Sequence, residues 1–178
     1  MNSGISAVLE EKLVRVRLFL CDVDGVLTDA TVAMGESSET KRFHIRDGLG
    51  LRLLQRCGIK VGWISHRPSP ATSRRADDLK IDFLHQESSS KVVAIEGILA
   101  RVGVGWDELC YVGDDLFDLG AMKRAGLSAT VADGLSEARE LADYVSRQPG
   151  GAGAIREIAE LILKAQGRWE SIVKEQLA

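Results

Sequence analysis

The chain has 178 residues, of which 45% are hydrophobic and 28% charged, and its formal net charge is −3. That length suits one domain with a sizeable core, and the composition is that of a soluble globular protein. The slightly acidic balance excludes a broad nucleic-acid-binding face, and no apolar run is long enough to span a membrane.

Residues 1–12 are of mixed polarity and read as an arm or a short helix. Nothing there has the charged start and apolar stretch of a signal peptide. The apolar run from Val14 to Cys21 predicts a buried first strand, followed by Asp22-Val23-Asp24-Gly25. A flap is expected over about 28–46: two short arms around Gly35-Glu36-Ser37-Ser38-Glu39, too small to hold a core of their own. A helix over the leucines 49–54 is expected to stop at Cys57-Gly58, with Asp47 capping its start. Strands follow at Ile59–Ile64, Ile81–Leu84, Leu109–Val112 and Leu127–Val131, with a short one at Tyr144-Val145. Helices are expected at Pro70–Leu79, Ser88–Val102, Leu116–Ala125, Leu135–Leu141 and Ala154–Ala165, before a polar tail over about 167–178.

Strands alternating with helices, and apolar throughout, imply an α/β fold: a Rossmann-like three-layer sandwich with a mainly parallel sheet, here over the whole of 1–178 as one domain. Cys21, Cys57 and Cys110 are odd in number and lie beside apolar runs. They read as core thiols in a reducing compartment, so the chain is expected to be cytoplasmic. His44, His66 and His85 lack the spacing of a zinc set.

Polar groups recur just after strands: Asp22 and Asp24, then Ser65, then Asp114 and Asp115, with Lys91 between the third and fourth. Strand ends on one edge of a parallel sheet converge, which would bring these groups to one site. Acids gathered there would repel one another. Mg²⁺, a hard cation that takes carboxylate and carbonyl oxygens, relieves that repulsion. The lysine and the hydroxyl call for a second ligand bearing anionic oxygens, and phosphate meets both requirements.

Asp22-Val23-Asp24-Gly25-Val26-Leu27-Thr28-Asp29, Ser65, Lys91 and Gly113-Asp114-Asp115-Leu116-Phe117-Asp118 resemble the four motifs of the haloacid dehalogenase superfamily. With the flap, Ile45-Arg46-Asp47-Gly48 and Gly150-Gly151-Ala152-Gly153, the chain is similar to the small capless phosphatases of 3-deoxy-D-manno-octulosonate 8-phosphate. The resemblance implies Asp22 as nucleophile and Asp24 as acid–base. It implies Mg²⁺ on Asp22, the Asp24 carbonyl and Asp114, with Asp115 and Asp118 supporting that shell. Ser65 and Lys91 would bind the phosphoryl group. Arg67 and Arg46 are candidates for the substrate's phosphate or carboxylate, with Arg46 a candidate to act across a subunit boundary. A homotetramer with shared active sites is implied, its tail able to enter a neighbour's site.

Two features depart from that pattern. Ser65-His66-Arg67 stands where relatives commonly have Thr-Gly-Arg, and Glu87 stands near a common glycine. Rival readings are a phosphatase for a nine-carbon sugar acid phosphate, a non-catalytic oligomer of the same fold, and a phospho-accepting receiver domain.

Overall fold

The structure is a computed structural model and describes residues 5–36 and 39–177. Ser37 and Ser38 of the expected flap turn, and the first four residues of the expected arm, lie outside the described residues.

The order of elements is α1 (Ala7–Arg15), β1 (Leu18–Cys21), β2 (Ala33–Met34), β3 (Glu39–Thr40), α2 (Ile45–Arg56), β4 (Lys60–Ser65), α3 (Pro70–Leu79), β5 (Phe83–Gln86), α4 (Lys91–Val102), β6 (Leu109–Val112), α5 (Leu119–Met122), β7 (Leu127–Thr130), α6 (Ser136–Leu141), β8 (Tyr144–Val145), α7 (Ala154–Ala165) and α8 (Trp169–Gln176). Six strands form one parallel sheet in the order β5-β4-β1-β6-β7-β8. β1 is central, and the chain moves to one side of it through β4 and β5, then to the other through β6 to β8. The crevice at such a switch point, beyond the strands' carboxyl ends, is where open α/β sheets hold ligands.

Alternation along the strands builds two cores. Phe19 and Cys21 of β1 join Val61, Trp63, Cys110 and Val112 under α1, α2 and α7. Leu18 and Leu20 point the other way, joining Ile64, Leu109 and Tyr111 under α4 and α5. The strongest single stripe is on α7, where Ala154, Ile155, Ile158, Ala159, Ile162 and Leu163 are buried at helical spacing.

Several boundaries differ from expectation. Val14 and Arg15 end α1 rather than open β1. Ser6 caps that helix, accepting the Leu9 N–H, and Leu13 anchors it in the core. β5 starts at Phe83 and α4 at Lys91, both later than expected. The expected helix over 116–125 is a 3-10 turn at Leu116–Asp118 followed by the single turn α5. Asp47 does not precede α2 but lies within its first turn, where it is buried. It caps a different helix, accepting from Gly153 N at 3.2 Å and Arg156 N at 2.8 Å at the start of α7.

The expected polar tail is largely the helix α8. Ile172 is buried, and Trp169 lies under the cations of Arg156 and Lys164, each 5.3 Å from its ring centre. Arg56 of α2 meets Glu175 at 2.7 Å. The segment therefore docks on its own chain.

Candidate active site

Asp22 is the first residue beyond β1, and its N–H still pairs with Val112 O at 2.9 Å. Its side chain is thereby held between β4 and β6. Oδ1 accepts the Val23 N–H at 2.7 Å, and Oδ2 faces Lys91 Nζ at 3.1 Å. The chain then bends so that Leu27 N and Thr28 N both reach Val23 O, while buried Thr28 takes the Gly25 N–H at 3.4 Å. That bend swings Asp24 back toward the crevice.

Gly25 has φ +96°, and a Cβ there would run into the Asp114 carboxylate. Glycine thus allows both the bend and the close approach of Asp114. Gly150 packs on the other side of the bend, where a Cβ would strike Gly25 O. The Gly150-Gly151-Ala152-Gly153 segment is consequently a backing for the Asp22–Thr28 loop, with Gly151 N donating to Val26 O at 3.0 Å.

A cavity of about 190 Å³ is lined by Asp22, Asp24, Ser65, His66, Arg67, Lys91, Asp115, Phe117 and Asp118. Asp114 adjoins it through its carboxylate, which has an oxygen within 4.8 Å of both Asp22 and Asp118. Ser65, at the end of β4, accepts the Arg67 N–H at 3.0 Å, which fixes the turn that carries Arg67. His66 meets Ser89 O at 2.9 Å through Nε2, and this ring nitrogen must be protonated to donate to a carbonyl. The unusual histidine thus ties the Ser65 loop to the loop before Lys91. The structure places Arg46 elsewhere, in a separate cleft of about 350 Å³ between α2 and α7.

Lys91 is the first residue of α4 and is buried. Burial works against its ammonium, but the charges of Asp118 and Asp22 outweigh that and raise its pKa. Asp118 is the more fully used partner. Its Oδ1 accepts from Lys91 Nζ and Tyr111 OH, each at 2.6 Å, and its Oδ2 accepts from Asp114 N at 3.1 Å and Asp115 N at 3.2 Å. Both oxygens are committed to protein donors, so Asp118 orients Lys91 and the Asp114 loop. The Asp115 carboxylate accepts from its neighbour Leu116 N at 2.6 Å and caps the 3-10 turn at Leu116–Asp118.

The remaining acids fit a divalent cation. Asp114 Oδ1 is buried without a hydrogen-bond partner among the described residues. Burial, then the charges of Asp22 and Asp118, push the Asp114 carboxyl up to about 8. Burial, then Asp118, raise that of Asp22 to about 7, although Lys91 opposes the shift. Crowded carboxyls with one unsatisfied buried oxygen are the donor set that a hard cation completes.

Sequence reasoning missed two flap residues. Lys41, with its side chain fully buried, contacts the Asp24 carboxylate at 2.7 and 2.9 Å and Thr72 Oγ1 of α3 at 3.2 Å. Glu39 contacts Arg67 Nη2 at 2.6 Å and also accepts from Ser69 Oγ. The flap's second arm is thus joined to the rim of the cavity.

Comparison with known proteins matches the chain to a family. A profile of haloacid dehalogenase-like hydrolases covers residues 70–158. The 3-deoxy-D-manno-octulosonate 8-phosphate phosphatase of Escherichia coli (strain B / BL21-DE3) is 39% identical over 165 residues, which are 92% of this chain and 88% of the relative. The chain belongs to this phosphatase family. A crystal structure of the Moraxella catarrhalis member, in complex with magnesium, phosphate and KDO, matches with a TM-score of 0.91 and 37% identity over 94% of this chain and 97% of that one. The Yersinia pestis member matches with a TM-score of 0.91 and 39% identity over 93% and 90% of the two chains.

Proposed function

We propose that this chain is a Mg²⁺-dependent phosphatase that hydrolyses 3-deoxy-D-manno-octulosonate 8-phosphate to the free sugar acid and phosphate. The observation that carries the reading is the convergence of Asp22, Asp24 and Lys91 on one cavity, in a chain whose relatives are phosphatases of that ester. Asp22, Asp114 and the Asp24 carbonyl would hold the Mg²⁺. When bound, Mg²⁺ neutralises and aligns the phosphoryl oxygens facing the attacking carboxylate.

In the first half-reaction the Asp22 carboxylate attacks phosphorus, and the bond from phosphorus to the sugar oxygen breaks. The protonated Asp24 carboxyl gives its proton to that oxygen, so the sugar leaves as an alcohol. In the second, Asp24 takes a proton from water as the water attacks the aspartyl-phosphate, and the phosphorus–Asp22 bond breaks to restore the carboxylate. Lys91 and Ser65 hold the phosphoryl oxygens. Lys91 is fixed for this by Asp118, and Lys41 keeps Asp24 turned toward the cavity. A receiver domain needs no acid–base at Asp24, and this residue with its flap partner favours turnover over storage of the phosphoryl group.

Arg67, on the rim of the cavity, is the group we assign to the substrate's carboxylate. Arg46 lies outside its own chain's cavity, so any role in catalysis is across a subunit boundary. Self-association is supported by exposed apolar side chains at the flap, its base and the cavity mouth: Met34 at 74%, Ile45 at 75% and Phe117 at 72% exposure. We read the assembly as a homotetramer in which neighbours cover one another's cavities. The whole chain acts as one catalytic domain. Among the described residues no helix is long and apolar enough to cross a membrane. The free thiols, with Cys21 and Cys110 buried and Cys57 partly so, support a reducing, cytoplasmic setting.

The test is phosphate release from a panel of sugar phosphates, with and without Mg²⁺. The eight-carbon acid phosphate should be turned over fastest, and only with metal. Equal turnover of every ester in the panel would remove the substrate assignment, and full activity of Asp22→Asn would remove the covalent mechanism.

A further inference from the structure

The guanidinium of Arg67 is divided between two environments. Nη2 is bound by Glu39 Oε2 at 2.6 Å, whereas Nη1 is buried and has no hydrogen-bond partner among the described residues. Glu39 is itself fixed from the other side, because Oε1 accepts from Ser69 Oγ, the buried cap of α3. Those two contacts lower its carboxyl pKa, the hydroxyl bond first and the Arg67 bond second. Glu39 is therefore a strut running from the flap to the rim of the cavity. Its grip on Arg67 uses one nitrogen, where a paired fork would have used both.

A buried guanidinium nitrogen without an acceptor is costly to maintain, and it marks a place where an anionic oxygen is missing. An unanchored arginine has many rotamers and must be ordered by its ligand. Here the ordering is already done by Glu39.

We propose that Glu39 is a specificity-determining positioning residue. By holding Arg67 through Nη2 it leaves Nη1 set for the carboxylate of the substrate, and so favours phosphate esters of sugar acids over those of neutral sugars. The proposal rests on the reading of the substrate as a sugar acid phosphate. It assigns to the flap of the same chain a role that the strand-end residues cannot fill. They recognise the phosphoryl group, which every substrate in the class shares.

The experiment compares two esters, 3-deoxy-D-manno-octulosonate 8-phosphate and glucose 6-phosphate, which lacks the carboxylate. In Glu39→Ala the KM for the acid ester should rise about tenfold, while both constants for glucose 6-phosphate and the kcat for the acid ester stay within about twofold. Glu39→Gln, which keeps one acceptor oxygen for Arg67 and an NH2 that can donate to Ser69 Oγ but loses the charge, should lie between Glu39→Ala and wild type. In the Arg67→Ala background, Glu39→Ala should add nothing further to the loss of discrimination. A fall in KM for the acid ester would mean that Glu39 competes with the substrate, and would overturn the proposal. So would equal losses on both esters, which a merely structural strut produces, or an undiminished effect without Arg67. The substrate reading fails separately, and this inference with it, if the wild-type enzyme does not prefer the acid. A wild type that prefers the acid and a Glu39→Ala variant that keeps the preference would overturn this inference alone.

Discussion

Replacement of Asp118 by alanine tests how the lysine of the site is held. Asp118 accepts from Lys91, Tyr111, Asp114 N and Asp115 N, and it is fully buried. Truncation strips the buried ammonium of its nearer counter-ion and leaves it Asp22 alone, at 3.1 Å. It also deprives a buried hydroxyl and two backbone N–H groups of their acceptor. Removing one partner of a buried ion pair costs about 3–5 kcal/mol. Stranded donors would add about 1–3 kcal/mol each where water cannot reach them, but water from the neighbouring cavity can replace the lost acceptor, so the ion-pair cost alone is carried forward. Against a total of about 5–15 kcal/mol, the variant should remain folded at room temperature. With a urea slope of about 2 kcal/mol per molar, its unfolding midpoint should fall by about 1.5–2.5 M. Lys91 loses its aim at the same time, and kcat should drop about a hundredfold, as when a fixed donor to the transition state is removed. Asp115→Asn is the control. Asp115 is exposed and its carboxylate caps a single 3-10 turn, so its loss should cost no more than about 1 kcal/mol. A midpoint shift below about 0.3 M for Asp118→Ala, with kcat within about twofold of wild type, would refute the idea that Asp118 orders Lys91.

Four further outcomes follow from other parts of the site and the flap. Gly150→Ala drives a Cβ into the Asp22–Thr28 loop and should abolish activity, whereas Gly97→Ala, exposed on α4 with open space around it, should stabilise by about 0.5–1 kcal/mol in the same urea titration. The carboxyls of Asp22 and Asp114, raised to about 7 and 8, bind protons more tightly folded than unfolded, so the metal-free protein should gain thermal stability as pH falls from about 8 to about 6. Mg²⁺ should bind with proton release and more weakly toward acid pH, which titration calorimetry in two buffers of different ionisation enthalpy reads directly; no proton release at pH 7.5 would contradict it. Met34→Asp and Ile45→Asp should each reduce the mass seen by light scattering from that of a tetramer and lower activity in parallel, and an unchanged mass in both would reject the flap-sharing assembly.

The parts of the fold and site that could be read in the sequence are those whose signal is local. Most of the sheet strands are apolar runs, and Asp22, Ser65 and Asp114 stand at or just beyond the ends of three of them, where the chain must turn. The parts that could not be read are polar groups whose partners lie far along the chain. Asp47 looks like a cap for the leucines that follow it, but the N–H groups it satisfies are 106 and 109 residues away. Asp118 looks like an ordinary acid of a short helix, and its use is decided by Lys91, 27 residues before it.

Glu39 and Lys41 are the sharper case, because a local signal was present and pointed to the flap without saying what lay beneath it. In an extended arm, residues two apart share a face. The structure turns Glu39 and Lys41 inward and leaves Thr40 outside. A charged pair alternating with a small polar residue in so short an arm reads as a solvated edge, since strands commonly carry charge there. It becomes a lining only because α3 presents Ser69 and Thr72 on the opposite side, 30 and 31 residues later. The same alternation therefore serves an idle edge or a working one, and the difference lies in whether a helix N-terminus bearing hydroxyls packs against it. In this chain one does. Asp24 and the rim arginine Arg67 are consequently each held by a charge of the opposite sign from the flap, and displacement of that arm should disturb both together.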